Sequence, residues 1–166
     1  MENNARIQDL WEQDEDTQKD KYLIFFLGKE FYGIEIKYVI EIIGIQTITE
    51  VPGLPHYLKG IINLRGKIIP VMDVRERFKK VCKEYNERTC VIVIEINHLF
   101  VGLIVDQVAE VLSIPEEEIV PPPEVTDSEN KFIKGIGKVG DEVKLLINCE
   151  KLLINEEIME IKEISK

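Results

Sequence analysis

The sequence predicts a mainly β fold, built from two similar modules the size of small barrels and followed by a short C-terminal helix. Three observations support this prediction. Short runs of β-branched and aromatic residues alternate with Gly- and Pro-containing turns along most of the chain. A set of residues in the first half recurs 69 positions later. From Ile154 onward, apolar residues separated by glutamates have the spacing of an amphipathic helix.

The first hairpin is predicted from Tyr22, where an apolar run ends at the turn residues Gly28-Lys29-Glu30. Residues 31–36 then return with partial alternation. The stretch 36–43 suits either a strand or one helical turn, because its apolar residues fit both periods.

A second hairpin is predicted from Ile61 to Val74, with Arg65-Gly66 at its turn. Residues 75–80 follow as a short basic helix or turn. Two acids that come after apolar stretches, Asp73 and Asp106, are expected to be caps or turn residues.

The internal repeat is the strongest organisational signal. A shift of 69 positions gives seven identities in the 31 positions from 22 to 52, where composition alone predicts about two. After Pro52 the offset grows to 75, and residues 57–61 match 132–136. The identical pairs are Phe31 and Phe100, Gly33 and Gly102, Val39 and Val108, Glu41 and Glu110, Ile45 and Ile114, Val51 and Val120, and Pro52 and Pro121.

The repeat predicts two modules in tandem, residues 21–85 and 86–153. An acidic tail, 1–20, precedes them, and the C-terminal helix covers 154–166. A module of this size is marginally stable alone, so a shared apolar seam between the two is expected.

The net charge of the chain is −10, and half of it lies in residues 1–20. An acidic protein repels phosphate backbones and anionic lipids, which argues against general nucleic-acid binding and direct membrane insertion. No apolar run is long enough to span a bilayer, and no leader is expected at the N-terminus.

The chain has few residues that are typical of catalytic sites. Its three cysteines are widely spaced and suit reduced thiols better than a disulfide framework or a zinc site. The two histidines, His56 and His98, have no nucleophile motif beside them. We therefore expect no enzyme activity, no cofactor and no metal.

Two polar residues stand in apolar surroundings. Arg65 is at a turn and has no counterpart in the repeat, where position 140 is Gly. It is either an exposed turn arginine or an interface anchor, since arginine suits planar recognition. Glu41 has an equivalent in Glu110, which favours a structural acid bonded to a turn.

Several segments resemble the CheW family of chemotaxis coupling proteins, and the similarity covers roughly residues 20–153. The most specific match is the segment 58–73, which contains the predicted second hairpin and its turn sequence Asn63-Leu64-Arg65-Gly66. The other matching segments are 31–36, 39–43, 87–93 and 101–111.

The resemblance implies two SH3-like five-stranded β-barrel modules in a cytoplasmic adaptor without catalytic activity. Such a protein would join methyl-accepting chemotaxis receptors to the histidine kinase CheA at receptor arrays on the inner face of the membrane. The alternative is an SH3-like scaffold module in a non-chemotactic signalling kinase complex.

The resemblance also assigns residues by position. Those implicated in receptor binding are Val39, Glu41, Arg65, Val108 and Val111. Apolar residues of the second module would contact the kinase, although the sequence does not fix which ones. Cys90 stands where the family commonly has an aliphatic residue, and we expect it to act as a small apolar group.

Overall fold

The computed structural model describes residues 18–123 and 132–152. The predicted mainly β fold is confirmed: the described strands form one six-stranded and one five-stranded sheet. Residues 1–17 of the acidic tail and the helix predicted over 154–166 lie outside the described residues. The strands are β1 (Lys21–Leu27), β2 (Glu30–Glu35), β3 (Val39–Gly44), β4 (Leu58–Leu64), β5 (Lys67–Asp73), β6 (Cys90–Ile96), β7 (Leu99–Val105), β8 (Gln107–Ser113), β9 (Ile119–Val120), β10 (Ile133–Val139) and β11 (Glu142–Ile147).

Two short helices follow the hairpins β4–β5 and β10–β11. They are α1 (Val74–Arg77) and α2 (Cys149–Leu152). The stretch that fitted both periods contains both structures, a 3-10 turn at Ile36–Tyr38 followed directly by β3. None of the helices in the described parts of the chain is long and apolar enough to cross a membrane.

The repeat found in the sequence is a repeat of structure. β1 and β6 begin 69 positions apart, at Lys21 and Cys90. β4 and β10 begin 75 positions apart, as do β5 and β11, and α1 and α2. The offset changes from 69 to 75 between these elements, as the sequence predicts, after the prolines Pro52 and Pro121.

The two sheets do not follow the predicted division into 21–85 and 86–153. The six-stranded sheet has the order β8-β1-β2-β11-β10-β9, and the five-stranded sheet has the order β3-β6-β7-β5-β4. The hairpin β1–β2 of the first repeat therefore joins strands of the second, and the hairpin β6–β7 of the second joins strands of the first. One sheet has the five strands expected for each module. The other sheet has six, because the two-residue strand β9 is added at its edge.

Similarity between the repeats allows this exchange. Each hairpin is closed by its own turn, but its next neighbour is a parallel strand: β2 pairs with β11, and β5 pairs with β7. Two parallel strands must be joined by a long connection, so the turn of a hairpin does not determine which parallel strand pairs with it. Tertiary packing determines that partner. The repeats carry equivalent apolar residues, and in this structure each hairpin completes the strands of the other repeat.

The expected apolar seam is present between the sheets. The largest buried cluster, which we call the seam cluster, contains residues of both sheets, among them Phe25 of β1 and Ile92 of β6. A row of stacked rings runs through it, with centroid distances of 5.9 Å from Phe25 to Tyr32, 5.5 Å from Tyr32 to Phe78, and 5.7 Å from Phe78 to Phe132. Aromatic residues contribute large buried areas, so this row is a major part of the contact between the sheets.

Candidate interaction site

The five residues predicted for receptor binding lie on two edge strands and one turn. β3 is an edge of the five-stranded sheet, and β8 is an edge of the six-stranded sheet. The pairing of β3 with β6 shifts register between Val39 and Glu41, and β8 shifts at the equivalent place, between Val108 and Glu110. A bulge of this kind bends the strand and redirects its side chains.

Glu41 and Arg65 form an ion pair. The Arg65 Nη2 group donates a hydrogen bond to Glu41 Oε1, which confirms that Glu41 is bonded to a turn. The Glu41 side chain is 21% exposed and the Arg65 side chain 72%. Such an exposed pair contributes at most about 1 kcal/mol to stability. Glu41 thus orients a guanidinium that remains open to solvent.

The turn that carries Arg65 adopts an uncommon backbone. Arg65 has a φ of 52° and Gly66 a φ of 86°, as a two-residue hairpin loop with two left-handed residues requires. The Gly66 amide donates to Asn63 Oδ1 at 2.8 Å, which holds the turn. The equivalent of Arg65 in the other repeat is Gly140, with a φ of 62°. A residue with a side chain costs roughly 1–2 kcal/mol in this conformation, so this turn carries strain that its equivalent at Gly140 avoids.

The three valines meet at the seam cluster. Val39 belongs to it and is only 3% exposed, while Val108 and Val111 are half-buried and pack against it from the other sheet. The three valines therefore belong to or line one cluster, although Val39 comes from a different sheet than Val108 and Val111. Because Val39 is buried, its side chain is not open to a partner.

Glu41 and its repeat equivalent Glu110 differ in their surroundings. Glu110 is exposed, and no cation of residues 18–123 or 132–152 forms an ion pair with it. An oriented arginine therefore marks the edge formed by β3, whereas the edge formed by β8 combines half-buried apolar residues with an exposed acid that is unpaired among the described residues.

The sequence did not reveal a second charged pair, Arg75 and Asp106. Arg75 Nε donates to Asp106 Oδ1 at 2.7 Å, and Nη2 donates to Oδ2 at 2.5 Å. The Gly28 amide donates to the same carboxylate at 2.7 Å. Asp106 thus ties α1 to the turn between β1 and β2.

The environment of Asp106 keeps its carboxylate ionised. Burial tends to raise the pKa of Asp106, but the hydrogen bonds from Arg75 and Gly28 outweigh it and hold the pKa below its ordinary value. The sequence signal that would have found the pair is a reversal of charge in the repeat. Lys37 stands at the position equivalent to Asp106, and Glu150 at the position equivalent to Arg75.

Other residues noted in the sequence form structural contacts or are free thiols. Asp73 caps α1, as expected, and accepts a hydrogen bond from the Tyr85 hydroxyl at 2.7 Å. His56 packs edge-on against Tyr57, with ring centroids 5.6 Å apart. The three cysteines are free thiols. Within the described ranges, no three His, Cys, Asp or Glu side chains converge as they would to hold a metal ion.

The chain is similar to known proteins of one family. A family model described as a CheW-like domain matches residues 21–157. The chain belongs to the CheW family. The chemotaxis protein CheW of Klebsiella aerogenes is 38% identical over 152 residues, which cover 91% of this chain and 92% of that protein. CheW of Helicobacter pylori is 30% identical, and the match covers 85% and 86% of the two chains.

A solved structure agrees with this family membership. The scaffolding protein TtCheW of Thermoanaerobacter tengcongensis superposes with a TM-score of 0.76 at 40% identity, over 82% of this chain and 94% of that chain. CheW proteins are scaffolds of chemotaxis, so the family points to an adaptor in chemotaxis signalling rather than to an enzyme.

Proposed function

We propose that this protein couples methyl-accepting chemotaxis receptors to the histidine kinase CheA and allows the state of the receptor to control kinase activity. The observation that supports this most directly is the exposed Arg65 side chain, held by Glu41 on a strained turn. Strain in a well-ordered turn is typical of functional positions. The protein would act in the cytoplasm, at receptor arrays on the inner face of the membrane.

The receptor contact has an apolar part and a polar part. The tip of a receptor is a helical hairpin, and its apolar edge would dock on Val108 and Val111, while the buried Val39 would act through the packing of the seam cluster. Arg65 would add an anchor for a carboxylate or a backbone carbonyl of the receptor, since arginine is common among the residues that dominate binding energy. Receptor signals pass through such a contact only if the receptor states bind it with different free energies.

Arg65→Gly tests the polar anchor and copies the residue of the other repeat. We expect the free energy of unfolding to stay the same or to rise by about 1 kcal/mol, because glycine relieves the left-handed strain. Affinity for a receptor signalling fragment should fall about tenfold or more, as measured by calorimetry. Lys138→Ala, which removes an exposed cation from β10, is the matched control and should leave the affinity unchanged. An unaltered affinity in Arg65→Gly would refute the role of Arg65.

Coupling itself is tested by co-sedimentation of the protein with a receptor signalling fragment and CheA, followed by a kinase assay. We expect a ternary assembly in which kinase activity depends on this protein. Failure to assemble with either partner would favour the alternative, a scaffold of a different signalling kinase complex.

A further inference from the structure

Arg77, the last residue of α1, lies between two aromatic rings. Its guanidinium carbon is 4.5 Å from the centroid of the Tyr57 ring and 4.4 Å from the centroid of the Phe132 ring. Its Nε group also donates a hydrogen bond to the Leu152 carbonyl oxygen at 3.1 Å. The planar guanidinium group can stack on a ring and donate in its own plane at the same time, which a lysine ammonium cannot do.

The partners of Arg77 come from both sheets. Tyr57 directly precedes β4 of the five-stranded sheet, and Phe132 directly precedes β10 of the six-stranded sheet. Leu152 ends α2, which follows β11 of the six-stranded sheet. One side chain therefore connects the ends of both sheets. Burial lowers the pKa of Arg77, but arginine stays charged in proteins, so the stacking remains that of a cation.

The repeat indicates that the arginine does more than fill space. Tyr57 and Phe132 are equivalent positions, 75 residues apart, and the position equivalent to Arg77 is Leu152. Leu152 is fully buried in the seam cluster. An apolar residue thus suffices for packing in one repeat, whereas the other repeat has the residue that can also connect both rings and a carbonyl.

We propose that Arg77 is a positioning residue, which fixes the two sheets relative to each other at the seam. Through this contact it sets the spacing between Arg65 on the five-stranded sheet and Val108 and Val111 on the six-stranded sheet. This second part rests on the proposed function, because it concerns the surface on which a receptor would dock.

The distance between the sheets tests the first part directly. Spin labels at Thr47→Cys, after β3, and Lys138→Cys, in β10, report on the two sheets from exposed positions. Cys82→Ser and Cys90→Ser remove competing thiols, while burial protects Cys149 and raises its pKa to about 12. We expect Arg77→Leu to broaden the distance distribution, and Arg77→Lys to broaden it less. A distribution like that of the parent protein in Arg77→Leu would overturn the proposal.

A second substitution keeps the test decisive if Arg77→Leu does not fold. Tyr57→Leu removes one of the two rings and keeps an apolar side chain without breaking the row of stacked rings, and it should broaden the distance distribution in the same direction. Arg88→Leu, which replaces an exposed arginine, is the control and should leave the distribution unchanged. An equal effect of Arg88→Leu would contradict a specific role for Arg77.

Binding of a receptor signalling fragment tests the second part. We expect Arg77→Leu to lower the affinity about tenfold at a temperature where the variant is folded, with partial rescue in Arg77→Lys. An unchanged affinity together with a broadened distribution would overturn the link between Arg77 and the docking surface. If the parent protein does not bind the fragment, the proposed function fails, while the distance measurement still decides the role of Arg77.

Discussion

The segments that end the two repeats, Asp73–Arg77 and Asn148–Leu152, have the same backbone and different side-chain chemistry. Asp73 Oδ1 accepts from the Glu76 amide at 3.3 Å, and Asn148 Oδ1 accepts from the Lys151 amide at 3.1 Å. The amides of these two capping residues donate to the carbonyls of Tyr57 and Phe132, each at 2.8 Å. Capping therefore repeats along the chain because each cap needs only one short polar side chain before its helix.

The charges on the two helices do not repeat. Arg75 of α1 forms a largely buried, bidentate pair with Asp106, but their equivalents Glu150 and Lys37 do not form such a pair. Lys37 is 61% exposed and pairs with Glu35 at 3.2 Å. The backbone is thus duplicated, whereas the buried bidentate pair belongs to the first helix alone; Glu150 of α2 only accepts a hydrogen bond of 3.4 Å from the Tyr38 hydroxyl.

Asp106→Ala should have the largest effect among substitutions that compare the two repeats. It leaves Arg75 buried without its partner, and we expect a loss of about 3–5 kcal/mol in the free energy of unfolding. Lys37→Ala, at the equivalent exposed position, should cost less than about 1 kcal/mol. Urea denaturation measures both values. Similar losses would mean that the repeats are not as different as their contacts indicate.

Gly60→Ala should come next and should exceed its repeat equivalent, Gly135→Ala. Gly60 has a φ of 146°, and a Cβ atom there would overlap the Thr49 carbonyl oxygen. A Cβ at Gly135 would lie 2.6 Å from Ile119 Cγ2, which belongs to a side chain. We expect about 3 kcal/mol of destabilisation for Gly60→Ala and about 1–2 kcal/mol for Gly135→Ala. Thermal unfolding of the pair provides the measurement, and a larger loss for Gly135→Ala would contradict this reading.

Acid should reduce the difference between the parent protein and Asp106→Ala. The pKa of Asp106 is lower in the folded protein than in the unfolded chain, because Arg75 and Gly28 stabilise the carboxylate. Its contribution to stability is therefore complete above the unfolded pKa of about 4 and is lost as the pH falls through the folded pKa. Denaturation curves of both proteins from pH 7 downward should converge in acid, and curves that stay parallel would exclude this linkage.

Glu41→Gln and Glu110→Gln should have the smallest effects on stability, each below about 1 kcal/mol, because Glu41 forms an exposed pair and Glu110 lies at the surface. Their effects on function should nevertheless differ. Only Glu41→Gln removes the charge that orients Arg65, so only it should weaken binding of a receptor signalling fragment. Calorimetry separates the two variants. Equal weakening would contradict a specific role for Glu41 in orienting Arg65.

Local patterns in the sequence predicted the hairpins and the cap at Asp73 correctly, since turns and caps depend on residues within a few positions. The bond between Glu41 and a turn was also predicted, but from its equivalence with Glu110, which forms no such ion pair among the described residues. The exchange of hairpins was not predicted, and neither were the roles of Asp106 and Arg77. The contacts of those two side chains join residues 31 and 75 positions apart, and no local pattern records them.

The sequence by itself determined that this protein is a duplicated β structure with little catalytic equipment and an unusual arginine at one turn. Alternation and turn residues carry that information because each strand and turn depends on residues within a few positions. The 69-residue offset shows that the same short-range patterns occur twice. Only the tertiary structure decided which hairpin completes which sheet and which charges meet at the junction. Parallel strands and buried ion pairs form between distant segments, so packing of the whole chain selects their partners.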